Sequence, residues 1–117
     1  MRDDRDNIIV QKTFNFSLEI ILFTELLRKE HKFELASQLF RSGTSIGANV
    51  KEAQNAESKA DFIHKFKIAA KEADETTYWL ELCLKSEVLP SPKIELLEEL
   101  KTITKILSKI ISSTKMR

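Results

Sequence analysis

Glu72 and Glu75 lie three residues apart, the spacing that sets two carboxylates on one helical face and makes them candidates for general acid–base work. Such a pair becomes catalytic in the company of a nucleophile, a partner histidine or a phosphate-cradling loop. The sequence supplies no Gly-rich loop. Its two histidines, His31 and His64, stand in a connection and beside lysines. The single Cys83 has no Cys or His neighbours at metal-ligand spacing. The expectation is no enzyme, no catalytic residue, no cofactor, no metal and no small-molecule substrate.

A second polar set lies in the run Arg41–Glu52. Ser42 and Asn49 are seven residues apart, two helical turns, on a face otherwise apolar. Buried polar groups need partners, so both are expected to bond to another helix as structural contacts, with a ligand site as the alternative. Arg41, Ser45 and Glu52 lie on the other side of that helix, where intrahelical or inter-subunit pairing fits. A third set is Lys101, Lys105 and Lys109, one row on a helix. From Leu100 to Arg117 there are five basic residues and no acidic one. This tract either contacts phosphate, making the row a candidate RNA contact, or complements the negative end of a helix dipole.

Four helices must carry these residues. The first is expected from Ile9 to Lys29, with Ile9, Phe16, Ile20, Phe23 and Leu27 on one narrow face. Leu18, Leu22 and Leu26 take another side and Ile21 a third, so this helix meets more than one neighbour. The second runs from Glu34 to Asn55, its face carrying Leu35, Leu39, Ser42, Gly43, Ile46, Asn49, Val50 and Ala53. Gly43 and Gly47 cost about 1 kcal/mol each in helix propensity; close approach of a neighbouring helix explains them, a kink at Gly43 being the alternative. The third runs from Ser58, capped in the Ser58/Asp61 pattern, to Ser86 with a stripe of Phe62, Phe66, Ala69, Ala73, Thr76, Leu80 and Leu84. The fourth has Ser91 as N-cap and Pro92 at its first position and ends near Ser113, with an apolar half-cylinder opposite the lysine row. Ile68, Trp79 and Leu82 project away from the third helix's stripe and form a candidate subunit interface.

The fold class is therefore all-α, an antiparallel up-down-up-down four-helix bundle forming one domain over residues 1–117, with 1–8 a flexible N-terminus. Two Gly and two Pro are too few for a sandwich or barrel. With 19 basic and 18 acidic residues, the net charge of +1 provides no global pull toward nucleic acid or membrane. The polar opening Met1–Asn7 leads into no long apolar region, and the longest apolar run, Ile20–Phe23, is far short of a membrane span. A cytoplasmic location with no membrane partner is expected.

The string Arg41-Ser42-Gly43-Thr44-Ser45-Ile46-Gly47-Ala48-Asn49-Val50, followed by Glu52-Ala53, resembles the signature of the 23S ribosomal RNA intervening-sequence protein family. So does the continuation Ser58, Asp61-Phe62, Lys65, Ile68-Ala69, Lys71-Glu72, Glu75-Thr76 and Trp79-Leu80, and the likeness spans Lys12 to Leu84. Phe16-Ser17, Phe40 and Phe66 depart from it in packing detail. The resemblance implies a bacterial four-helix bundle assembled as a ring-like homopentamer, with Arg41, Ser42, Ser45, Asn49, Glu52, Glu72 and Glu75 as motif positions. Some such proteins are encoded within insertions in ribosomal RNA genes. A related branch serves diversity-generating retroelements as a basic barrel that binds nucleic acid and a reverse transcriptase. Near-neutral charge argues against that branch here. The leading expectation is a non-enzymatic assembly or interaction protein, a homo-oligomer; the alternatives are an RNA-binding protein acting on ribosomal or insertion RNA and an accessory protein to a reverse transcriptase.

Overall fold

The buried positions of the helices step by threes and fours, a heptad rhythm, and this sets the packing. In a computed structural model, residues 7–117 are described and form α1 (Ile8–Lys29), α2 (Phe33–Ala53), α3 (Lys59–Lys85) and α4 (Ile94–Lys115). In α1 the core positions are Ile9, Thr13, Phe16, Ile20, Phe23 and Leu27. In α2 they are Ala36, Leu39, Gly43, Ile46, Val50 and Ala53, and in α3 Phe66, Ala69, Ala73, Thr76, Leu80 and Cys83. A repeat of 3.5 residues keeps a seam facing its neighbours along slightly supercoiled helices. That period corrects two expectations. A 100° step favours Leu35 and Leu84 for the core; the heptad instead buries Ala36 and Cys83, leaving Leu35 half-buried against the core and Leu84 exposed.

Each helix packs on the next along the chain and α4 returns to α1, leaving α1 and α3 at opposite corners. Neighbours run antiparallel. Asn7 at the start of α1 donates to Gln54 just past the end of α2, 3.0 Å away. Arg41 reaches Glu72 while Lys65 reaches Glu52, so α2 and α3 are opposed. Lys59 bonds the Arg117 carbonyl oxygen, opposing α3 and α4. Lys12 lies 3.8 Å from Glu99, whereas Leu26 lines a groove shared with Ser91, opposing α1 and α4.

The helix ends are set by local chemistry. Of the expected flexible stretch 1–8, residues 1–6 lie outside the described residues; Asn7 caps α1, its side chain accepting from the Val10 amide. Between α1 and α2, His31 takes the left-handed backbone (φ 62°), and the amides of His31 and Lys32 close on the Arg28 and Leu27 carbonyls. This termination usually employs glycine. Ser58 caps α3 by accepting from the Asp61 amide at 3.0 Å, while the Asp61 carboxylate accepts from the Glu57 amide. The expected start of α4 is overturned. Lys93, not Ser91, occupies the N-cap position without a side-chain bond, and Pro92 is buried in the linker instead of opening the helix.

Candidate interaction surface

The seam between α2 and α3 unites most of the polar residues singled out from the sequence. The Ser42 and Thr76 hydroxyls, both buried, lie 2.9 Å apart, and Thr76 Oγ1 is 2.7 Å from the Glu72 carbonyl. Each hydroxyl has one proton, so the set closes when Thr76 donates to that carbonyl and Ser42 donates to Thr76. Ser42 thus makes the expected cross-helix bond. Asn49 does not. It is half-buried, and its amide donates to the Ser45 carbonyl of its own helix at 2.9 Å, one turn back. The heptad puts Val50 in the core and Asn49 on its flank.

Arg41 and the two glutamates lie on the surface of the same seam. The Arg41 guanidinium bonds Glu72 at 3.2 Å through one nitrogen and Glu75 through the other. The Trp79 indole N–H donates to the same Glu75 oxygen at 3.1 Å. Glu72 and Glu75 are therefore committed to charge-assisted bonds that hold α2 to α3. Two to three turns toward the other end, Lys65 donates to Glu52 at 3.0 Å; this hydrogen bond and then the carboxylate's charge raise the lysine's pKa. Ser45 bonds back to the Arg41 carbonyl. Burial pushes the Cys83 thiol up to about 11, leaving it protonated at neutral pH.

Close approach explains both glycines. A Cβ on Gly43 would lie 2.8 Å from two carbons of the fully buried Ile20, and one on Gly47 would lie 3.1 Å from the Thr13 carbonyl oxygen. Neither glycine kinks the helix, because α2 is continuous through both.

Outside this seam the character changes. Along the outer side of α1, Phe14, Leu18, Leu22 and Leu26 recur every four residues and remain exposed, Phe14 at 63% and Leu22 at 65%. A groove of about 890 Å³ between α1 and α2 is lined by Phe14, Leu18, Ile21 and Phe40. Another of about 620 Å³ between α1 and α4 is lined by Leu22, Phe23, Leu26 and Leu96, with Glu19, Glu95 and Glu99 beside them. The leucines of this row were visible in the sequence as a second apolar side; Phe14 was not singled out.

On α3, Ile68 and Trp79 are half-buried and Leu82 is exposed. Trp79 also packs against the core, with the exposed Tyr78 ring edge-on at 5.2 Å. Lys101, Lys105 and Lys109 are all exposed on α4, distant from the α2–α3 seam in sequence and joined to no member of it. None of the four helices is long and apolar enough to cross a membrane, and no His/Cys/Asp/Glu group among the described residues is arranged to hold a metal ion.

No curated relative matches the sequence. A solved structure of a Bacteroides thetaiotaomicron VPI-5482 protein of the S23 ribosomal protein family, itself of unknown function, is similar to this chain. The two are 42% identical and superpose with a TM-score of 0.82, covering 88% of this chain and 97% of the other. The model of the 23S rRNA-intervening sequence protein family matches residues 5–109, which includes the whole Arg41–Glu75 network. By sequence and by fold, this chain belongs to the 23S rRNA-intervening sequence protein family.

Proposed function

We propose that this protein is a non-catalytic assembly module that works as a homo-oligomer in the cytoplasm. The observation that carries the reading is the row Phe14, Leu18, Leu22 and Leu26, four large apolar side chains open along one helix. Burying one such side chain fully is worth about 1.5–3 kcal/mol, and contiguous apolar surface of this kind marks interaction sites. The glutamates that could have served as acid and base are tied to Arg41 and Trp79, and the one thiol is protonated, which supports a non-enzymatic role. A chain with a single cysteine and no disulfide fits a reducing compartment. The family resemblance supplies the number five, and the Ile68/Trp79/Leu82 patch is the contact expected from the sequence. Light scattering coupled to size exclusion at micromolar concentration tests this. The expected mass is five times 13.5 kDa, reduced in Trp79→Ala; a single-chain mass would remove the reading, and an intact Trp79→Ala oligomer would remove only that residue's role.

A second reading, RNA binding, is favoured by the exposed Lys101/Lys105/Lys109 row in a tract without acidic residues. Such binding would be weak, indifferent to sequence and steeply reduced by salt, because it rests on phosphate contacts. Filter binding of structured ribosomal RNA, with the triple Lys→Glu variant alongside, tests it. Salt-insensitive binding or an unchanged triple variant sinks it. The near-neutral net charge weighs against the accessory role beside a reverse transcriptase.

A further inference from the structure

We infer that the half of the bundle where α3 begins and α4 ends presents one basic face, shared by both helices, that takes the phosphate backbone of double-helical nucleic acid. The inference rests on the RNA-binding reading above; it adds the α3 lysines to that site and withdraws Lys101 from it. Lys59 bonds the Arg117 carbonyl oxygen. Equal steps from that contact along the antiparallel helices bring Lys67 level with Lys109 and Lys71 level with Lys105. All four side chains are exposed, and none is engaged in an ion pair among the described residues. On α4, Lys105, Ser108, Ser112 and Lys115 recur at steps of three and four as an exposed stripe, with Lys109 on its flank. Lysine and serine side chains both donate to phosphate oxygens.

The near-neutral total hides this face because charge is sorted along the bundle. From Phe62 to Lys71, α3 carries Lys65, Lys67 and Lys71 and no acid; from Glu72 to Glu81 it carries Glu72, Asp74, Glu75 and Glu81 and no Lys or Arg. α4 switches likewise, with Glu95, Glu98 and Glu99 at its start and no acid after Leu100. Lys101 belongs to the acidic half, three residues after Glu98 and near the level of Asp74. The acids of the basic half are Glu52, paired with Lys65, and Glu57 and Asp61, the latter's carboxylate held by the Glu57 amide. The helix dipole does not explain the pattern. It acts within one turn of a helix end, so it suits Lys115 but not Lys105 or Lys109, and it disfavours Lys59 in the first turn of α3. The surroundings select the partner. Neither α3 from Lys59 to Lys71 nor α4 from Leu100 to Lys115 exposes a large apolar side chain. The face therefore has no anchor for a bilayer and no aromatic platform for unpaired bases. A duplex, with one charge per about 1.7 Å, requires neither.

Fluorescence anisotropy at low salt, with short labelled RNA and DNA duplexes and one of the RNA strands, tests the face on the full chain. The expected result is that both duplexes bind alike and about tenfold or more tighter than the strand. Lys67→Glu/Lys71→Glu and Lys105→Glu/Lys109→Glu should each weaken duplex binding about tenfold or more, while Lys67→Arg/Lys71→Arg keeps it. Lys85→Glu/Lys93→Glu makes the same charge change at exposed sites in the acidic half and should leave affinity within about twofold. An equal loss in that control would mean that total charge, not this face, governs binding, and would overturn the inference. So would a strand that binds as tightly as the duplexes, a strong preference for one duplex, or capture by phosphatidylserine vesicles with no duplex binding. Unchanged binding by Lys67→Glu/Lys71→Glu, with loss in the triple α4 variant, would reject the shared face and spare the earlier reading. A wild-type chain that binds no RNA would reject both.

Discussion

α2 meets both its neighbours closely, whereas α1 meets α2 closely and α4 loosely. Toward α3, α2 presents Ser42 to Thr76, Arg41 to Glu72 and Glu75, and Glu52 to Lys65. Toward α1 it presents Gly43, where a Cβ would meet Ile20 at 2.8 Å, and Gly47, where one would press on the Thr13 carbonyl oxygen at 3.1 Å. The α1–α4 seam has an ion pair at 3.8 Å and an open groove. The family signature and the row of exposed apolar side chains on α1 are therefore different parts of the molecule. Arg41, Ser42, Glu52, Glu72 and Glu75 of the signature take part in bonds between α2 and α3, whereas the outer leucines of α1 stay exposed.

The contrast can be broken most forcefully at Gly43. Gly43→Val places a branched side chain where even a Cβ would meet Ile20 at 2.8 Å. The unfolding free energy should fall by about 3 kcal/mol, the upper range for overpacking, read from denaturant midpoints. A change below about 1 kcal/mol would show that α1 and α2 part easily.

A smaller effect is expected within the α2–α3 seam. Thr76→Val removes the hydroxyl that joins Ser42 to the Glu72 carbonyl and should cost about 1–2 kcal/mol. In a double-mutant cycle with Ser42→Ala, the two losses should be coupled by about 1 kcal/mol; strict additivity would mean the hydroxyls act separately.

Asn49→Leu sharpens the comparison from the flank. A cross-helix bond would have made this substitution costly. With only a bond to Ser45 in its own helix, the change should stay within about 0.5 kcal/mol by denaturant titration.

The smallest effect lies at the α1–α2 turn. His31 has φ 62°, which glycine adopts without a Cβ penalty. His31→Gly should raise stability by a few tenths of a kcal/mol, the gain being tempered by the lost edge contact with the Phe33 ring at 5.6 Å. A thermal scan on both proteins reads the sign.

Much of this architecture was legible from the sequence because helix-length apolar stripes dictate it. Ile9, Phe16, Ile20, Phe23 and Leu27 are all buried as the pattern requires. The departures in core packing share a cause, the choice of period. A 3.6-residue step drifts off a 3.5-residue seam by about 20° per heptad, enough to exchange Leu84 for Cys83 by the end of α3 and to favour Asn49 beside Val50. Pro92 was misread for another reason: a proline suited to a first helical turn is equally suited to an extended linker, and its burial decides. The glutamates of the candidate site were visible, but their partner was not. Arg41 lies 31 residues from Glu72 and 34 from Glu75, and only the antiparallel register of α2 on α3 brings them together.

Self-association of this chain would depend most directly on the outer row of α1. Sedimentation equilibrium on Leu18→Lys/Leu22→Lys, with circular dichroism to verify that helix content is retained, tests it. Both side chains are exposed in the single chain, so the substitutions leave its core intact. The expected result is a helical protein whose mass falls from a multiple of 13.5 kDa to that of one chain. A double variant that keeps the full wild-type mass would contradict it.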